Sequence, residues 1–316
     1  MAAPPEPLVT GNGPTPWRPR PLGRPRRVEC DIELPPATDQ PQVKAVKIKT
    51  PFPAKPAWAF ALAIALLQPL APATLAAATA RTGAQIVFLV SSAEDTNSYE
   101  SARTIPPFAE MLKKDHGYQT TVLKAEMPES KSRFATGFEA VAKADLLVIF
   151  CRRLGLPPEQ LMTIKNHLNA GKPVVAVKTA NHGFAVRGDF FPGHIPWYEF
   201  VADVLGAENR GYAGGAGGMQ IKVIPASRDH PIVRGLPANW TSGGNLYLSA
   251  PLLDRRATVL LEGTVQGRVE PIAWVRMAGE SRVFYTSMGH PADFDDTQPH
   301  FRTLLLNGIR WALGEN

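Results

Sequence analysis

From residue 84 onward the chain alternates short apolar runs with stretches of helical spacing. AQIVFLVSS (84–92) is apolar until two serines, the pattern of a strand buried on both faces. TIPPFAEMLKKDHG follows, with Pro106 and Pro107 suited to the first turn of a helix and Gly117 to its end. YQTTVLKA predicts a second strand, GFEAVAKAD a short helix and LLVIFC (146–151) a third strand. PPEQLMTIKNHLNAG predicts a helix that opens on Pro157 and Pro158, ends before Gly171 and buries Leu161, Ile164 and Leu168. PVVAVK (173–178) is a fourth strand. Further on, GYAGGAGG (211–218) reads as a loop, and MQIKVIPA, TVLLEG, PIAWVRM and RVFYTS as strands. HFRTLLLNGIRWALG predicts a closing helix with Phe301, Leu304, Leu305, Ile309 and Leu313 on one face.

Strands and helices alternating over short connections predict an α/β fold. We expect a flavodoxin-like, doubly wound, mostly parallel sheet with a β-rich carboxyl-terminal elaboration. Ligands of such sheets bind beyond the carboxyl ends of the strands. Four polar stretches should therefore meet at one rim: SSAEDTNSY, CRRLG, KTANHGF and MGHPADFDD.

The first 80 residues have another texture. Thirteen of the 31 prolines fall within residues 1–53, with little apolar periodicity. Residues 1–45 are expected to be a disordered extension, because such a stretch buries too little surface to offset its ordering entropy. Residues 46–80 have the three parts of a secretory signal peptide: Lys47, Lys49 and Lys55, an apolar core from Ala57 to Leu67, and small residues at Ala78 and Ala80. Pro69 and Pro72 interrupt the core, which favours cleavage over an uncleaved membrane anchor. No Met lies between Met1 and Met111, so translation is expected to start at Val43 or Val46. The functional domain is then 81–316, outside the cytoplasm.

Charge changes meaning after that cut. Nine of the 34 Lys and Arg and five of the 28 Asp and Glu precede residue 81, leaving 25 basic against 23 acidic residues. No basic stripe interleaved with aromatics is left, so nucleic acid is not an expected partner. Cys151 is the one cysteine after residue 81, so no disulfide forms within 81–316. His182, His194, His230 and His290 lack zinc-type spacing, and neither a metal nor another cofactor is expected.

PIAWVRMAGESRVFYTSMGHPADFDD followed by FRTLLLNGIRWALG closely resembles the carboxyl-terminal part of ThuA-like proteins, the trehalose-utilisation family. RDHPIVRGLP resembles that family's mid-domain His-Pro segment, and YESARTIPPFAEML its first loop and helix. The resemblance spans roughly 84–314. It implies a fold similar to class I glutamine amidotransferases and a link to sugar metabolism. In amidotransferases the elbow strand ends in a nucleophilic cysteine; here KPVVAVKTANH puts Lys178 at that place. A protonated lysine does not attack carbonyl carbon, so thioester amidotransfer is excluded. The His of the amidotransferase His-Pro-Glu is matched by His290, but Ala292 replaces the Glu and Asp293 stands one residue on. Where many relatives carry an acidic pair, this chain reads Gly244-Asn245-Leu246-Tyr247.

Candidate residues follow from the expected rim. His290, beside Asp293, Asp295 and Asp296, is either a general acid/base oriented by a carboxylate or a turn-closing histidine. His182 is its expected partner across a common hollow, with Asn181 either facing the cleft or supporting a left-handed turn. Lys178 either anchors an anion or keto oxygen, or forms an ion pair with Glu94 or Asp95. Thr179, Glu94 and Tyr99 are candidate ligands for sugar hydroxyls, and Arg152 and Arg153 could hold an anion. The reading assigns His290, His182 and Asp293 to catalysis and Lys178, Thr179, Asn181, Glu94, Tyr99 and Arg153 to ligand binding. The expected partner is a disaccharide, keto-sugar or polyol. The alternative is a non-catalytic carbohydrate-binding protein on the same fold.

Overall fold

The computed structural model describes residues 83–95, 97–126, 134–188, 192–214, 218–297 and 299–315. The Pro-rich stretch 1–45 and the expected signal peptide 46–80 lie outside them. Among the described residues no helix is long and apolar enough to cross a membrane.

Five strands form the parallel half of the sheet: β1 (Gln85–Val90), β2 (Gln119–Glu126), β4 (Leu146–Phe150), β5 (Val174–Val177) and β12 (Ser281–Thr286). Their spatial order is β2-β1-β4-β5-β12, the flavodoxin-like winding, with a topological switch between β1 and β4. The two-residue β3 (Phe134–Ala135) pairs antiparallel with β2 at that edge. Beyond β12 the sheet continues antiparallel through β11 (Arg268–Ala278), β10 (Thr258–Val265), β7 (Met219–Val223) and β8 (Asn239–Ser242). A separate ribbon joins β6 (Tyr212–Ala213) to β9 (Leu246–Tyr247).

The apolar runs explain the layers. In β1, Ile86, Phe88 and Val90 face one side, where α1 (Ser101–His116) and α4 (His300–Leu313) supply Ile105, Phe108, Leu112, Phe301, Leu304 and Ile309. Val87 and Leu89 face the other, where α2 (Glu139–Lys143) and α3 (Pro158–Asn169) supply Val141, Leu161 and Ile164. Both faces are covered, which is why these strands carry no polar alternation.

Helix α1 starts a turn earlier than its prolines predict, at Ser101, so Pro106 and Pro107 lie in its second turn. Tyr99 and Glu100 both take left-handed φ, near 54° and 53°, and the Glu100 carbonyl accepts from the Arg103 and Thr104 amides. The loop geometry, rather than proline chemistry, sets where this helix begins.

Candidate functional site

Strand β5 ends in a sharp turn. Lys178 takes φ 47°, and a 3₁₀ turn follows over Lys178–His182. A left-handed lysine costs of order 1–3 kcal/mol and needs outside support. Tyr285 of β12 supplies some, donating its hydroxyl to the Lys178 carbonyl at 3.1 Å. The loop after β4 supplies more: the Arg153 amide donates to the His182 carbonyl at 3.1 Å and the Leu154 amide to that of Gly183 at 2.6 Å. Among the described residues five non-glycine residues have left-handed φ, and four of them stand at this rim: Tyr99, Glu100, Arg153 and Lys178. The elbow conformation is present without a nucleophile on it.

Lys178 is fully buried. Its ammonium donates to the Asn245 carbonyl at 3.1 Å and lies 4.5 Å from the centre of the Tyr247 ring and 4.8 Å from that of Tyr99. Gly244 leaves room for it, since a Cβ there would stand 3.0 Å from Nζ. Burial lowers the Lys178 ammonium to about 8, and Asp293 pulls it back up. Its electrostatic partner is thus Asp293, not Glu94 or Asp95; Asp95 pairs with Arg152 at 3.4 Å.

The turn after β12 is built around Asp293. One carboxylate oxygen accepts from the Ser242 hydroxyl at 2.6 Å. The other accepts from the amides of Gly289 at 3.0 Å and His290 at 2.9 Å. Gly289 has φ 118°, and a Cβ there would press on Val177 at 3.0 Å, so only glycine lets this turn sit on the ends of β4 and β5. His290 caps the next turn: its Nδ1 accepts from the Ala292 amide at 3.2 Å. The ring's proton is therefore on Nε2.

His182 has the opposite tautomer. Its Nδ1 faces Oδ1 of Asn181, which can only accept, so Nδ1 carries the proton and Nε2 the lone pair. Burial, then the charges of Arg153, Arg152, Arg187 and Lys178, push its imidazole down to about 3. It is neutral at any physiological pH.

Both histidines line one cavity of about 620 Å³, together with Tyr99, Tyr247, Asn245 and Arg153. The ring centres of His182 and Tyr247 are 6.0 Å apart, and those of Tyr99 and His290 6.1 Å. His182 thus neighbours Tyr247 and His290 neighbours Tyr99, and the two tyrosines flank the Lys178 ammonium. A second lobe of about 750 Å³ adjoins the first and shares Arg153, Asn181, His182 and Arg187 with it. The cavity lies beyond the carboxyl ends of β1, β4, β5 and β12, as doubly wound sheets dictate.

The residues singled out in the sequence divide into three groups. His182, His290, Asn181, Tyr99, Arg152 and Arg153 line the cavity. Lys178 and Thr179 are fully buried behind its wall, and Asp293 lies within its own turn, so these three shape the site from behind. Glu94 is exposed and outside the lining. His230 caps a turn by accepting from the Ile232 amide. Sequence reasoning missed Asn97, Arg187, Asn209, Tyr212, Asn245 and Tyr247, all in the lining. For Asn245 and Tyr247 a signal existed in the Gly-Asn-Leu-Tyr stretch. Asn97 lies in the SSAEDTNSY stretch expected at the rim, Tyr212 in β6, and Arg187 and Asn209 in segments without a motif. Among the described residues no cluster of three or more His, Cys, Asp or Glu gathers as a metal site.

Comparison with known proteins agrees with this architecture. The family model ThuA, trehalose utilisation, matches residues 87–312. A solved ThuA-like protein from Bacteroides uniformis superposes with a TM-score of 0.53 at 17% identity, covering 74% of this chain and 93% of that one. A second, from Parabacteroides merdae, gives 0.50 at 17% identity, with 73% and 90% covered. Comparison with curated proteins yields no match. The sheet order, the elbow turn at Lys178 and the match across both halves of the domain have one reading: the chain belongs to the ThuA family, on a fold like that of class I glutamine amidotransferases.

Proposed function

We propose that this protein binds a sugar in the cavity between His182 and His290 and acts on it by acid/base chemistry. The observation that carries the reading is the pair of opposite tautomers lining one cavity. Neutral His182 presents an acceptor at Nε2, and His290 presents an N–H donor. One can take a proton from a hydroxyl while the other supports a developing oxyanion or returns a proton. Tyr99, Tyr247 and Tyr212 line the same cavity and offer aromatic faces for the apolar side of a sugar ring. Membership of a trehalose-utilisation family supports a role in carbohydrate metabolism and makes a disaccharide, keto-sugar or polyol the substrate class to try. Asp293 in this scheme is a positioning residue that fixes the backbone of His290. Export through the 46–80 segment is part of the proposal and is checked by sequencing the amino terminus of the secreted protein.

The second reading is a carbohydrate-binding protein without catalysis. It is favoured by the elbow, whose nucleophile position holds a lysine covered by two tyrosines. Mass spectrometry of a mixed saccharide pool, before and after incubation with the protein, separates the two. Conversion that disappears in His182→Ala and His290→Ala supports the enzyme. Binding weakened by the same substitutions, with no sugar ever converted, leaves the binding protein.

A further inference from the structure

A sugar placed between His182 and His290 uses the first lobe of the cavity only. The second lobe has binding features of its own. Val201 and Ala202 in its lining open a π-helical turn over Val201–Leu205, closed by the Gly206 amide on the Val201 carbonyl. Such turns are rare and occur mostly at functional sites. Tyr198 also lines this lobe. Its hydroxyl donates to the Val186 carbonyl at 3.4 Å, yet the residue stays 55% exposed. A ring tethered at its tip and open on its face is a stacking platform. The first lobe has a counterpart in Tyr212, which is 67% exposed and pairs with Tyr247 across the β6–β9 ribbon. Between the platforms the lobes share His182, Asn181 and Asn209. Asn181 is buried, and its Nδ2 has no hydrogen-bond partner among the described residues. A buried amide left unsatisfied costs free energy that a bound acceptor restores.

We propose that the ligand is a linear oligosaccharide of about three or more units that runs through both lobes. One end lies against Tyr99 and Tyr247, a linkage passes His182 and Asn181, and the chain leaves over Tyr198. Lobes of about 620 and 750 Å³ each fall within the range of about 300–1,000 Å³ that holds a whole drug-sized ligand. A single sugar ring would therefore reach the platform of one lobe only. A sugar chain repeats an apolar ring face and a fringe of hydroxyls along its length. Tyrosine rings spaced along a cleft match the faces, and side-chain amides, which both donate and accept, match the hydroxyls. This inference rests on the carbohydrate reading of the cavity and names its substrate class.

Calorimetric titration of the purified protein with glucose and with the maltose and cellobiose series, from disaccharide to pentasaccharide, tests it. In at least one series affinity is expected to rise with each unit as far as the trisaccharide. Glucose and trisaccharide should differ about tenfold or more, as one further ring face buried on a tyrosine predicts. Tyr198→Ala removes the second platform, and Ala202→Trp fills the second lobe with a bulky ring. Both positions are exposed, so both variants should fold. Each is expected to bring the ratio of trisaccharide to glucose affinity close to one. Glucose binding as tightly as the longer chains, a gain that stops at the disaccharide, or an advantage that survives either substitution overturns the inference and leaves the carbohydrate reading standing. No binding of any probe overturns both.

Discussion

The Lys178 ammonium lies 4.5 Å from the centre of the Tyr247 ring. With Tyr99 on another side and the Asn245 carbonyl as acceptor, the cation is held by protein groups where water would otherwise solvate it. Cation–π contacts of this kind are worth about 0.5–2 kcal/mol, less than the desolvation they partly offset. Lys178 therefore organises the wall of the site at a cost to the fold.

That cost has a pH signature. Burial lowers the Lys178 ammonium to about 8, whereas the unfolded chain keeps the proton to about 10.5. The unfolded state binds more protons between these values, so stability rises with pH across that window and the penalty is complete below about 8. At about 1.4 kcal/mol per pH unit the penalty is about 3 kcal/mol. Lys178→Met should be more stable than the parent at pH 7 and lose most of that advantage by pH 10. Urea denaturation of both proteins at the two pH values measures it.

His182 gives the acid counterpart. Its imidazole is pushed down to about 3, while the unfolded chain takes up the proton near 6.5. Its contribution is fully present above pH 6.5 and is lost as pH falls toward 3. The parent should lose more stability between pH 7 and pH 4 than His182→Gln does. Parallel losses in the two proteins would mean that His182 does not stay neutral in the fold.

Asp293 accepts from Ser242, Gly289 and His290, so Asp293→Asn should cost about 1–3 kcal/mol by turning one acceptor into a donor against those groups. Ser242→Ala removes one of the same bonds. The two substitutions together should cost less than their separate losses summed, because they break a shared network. A denaturant double-mutant cycle reads the coupling.

Gly308 lies inside α4, where alanine would ordinarily add about 1 kcal/mol of helix propensity. Here a Cβ would land within the Phe284 ring of β12. Gly308→Ala should therefore destabilise by about 1–3 kcal/mol, the usual cost of overpacking a close contact. Thermal unfolding checks the sign.

The strands and helices were legible because their apolar positions repeat locally. LLVIFC and PVVAVK announce strands whatever surrounds them. Helix α1 was misjudged at its start because two left-handed residues, Tyr99 and Glu100, set it. Lys178 was open to reading as a ligand anchor because its burial depends on Tyr99 and Tyr247, which no local pattern connects to it. The acid that acts on it, Asp293, lies in a turn after β12, well away from the nearby loop acids Glu94 and Asp95 that were expected.

Local periodicity by itself determined the kinds and order of the five parallel strands and the four helices, though not the short strands β3, β6, β8 and β9, and, through the strand ends, which rim of the sheet carries polar groups. The resemblance to class I amidotransferases put Lys178 where their nucleophile would stand. Only the tertiary structure decided what surrounds that lysine and the two histidines. Asn245 reaches Lys178 from 67 residues away, and Tyr99 meets Asn245 across 146. Burial, ring contacts and the balance of charge arise between such distant segments. They depend on distances in space, which the order of residues along the chain does not encode locally.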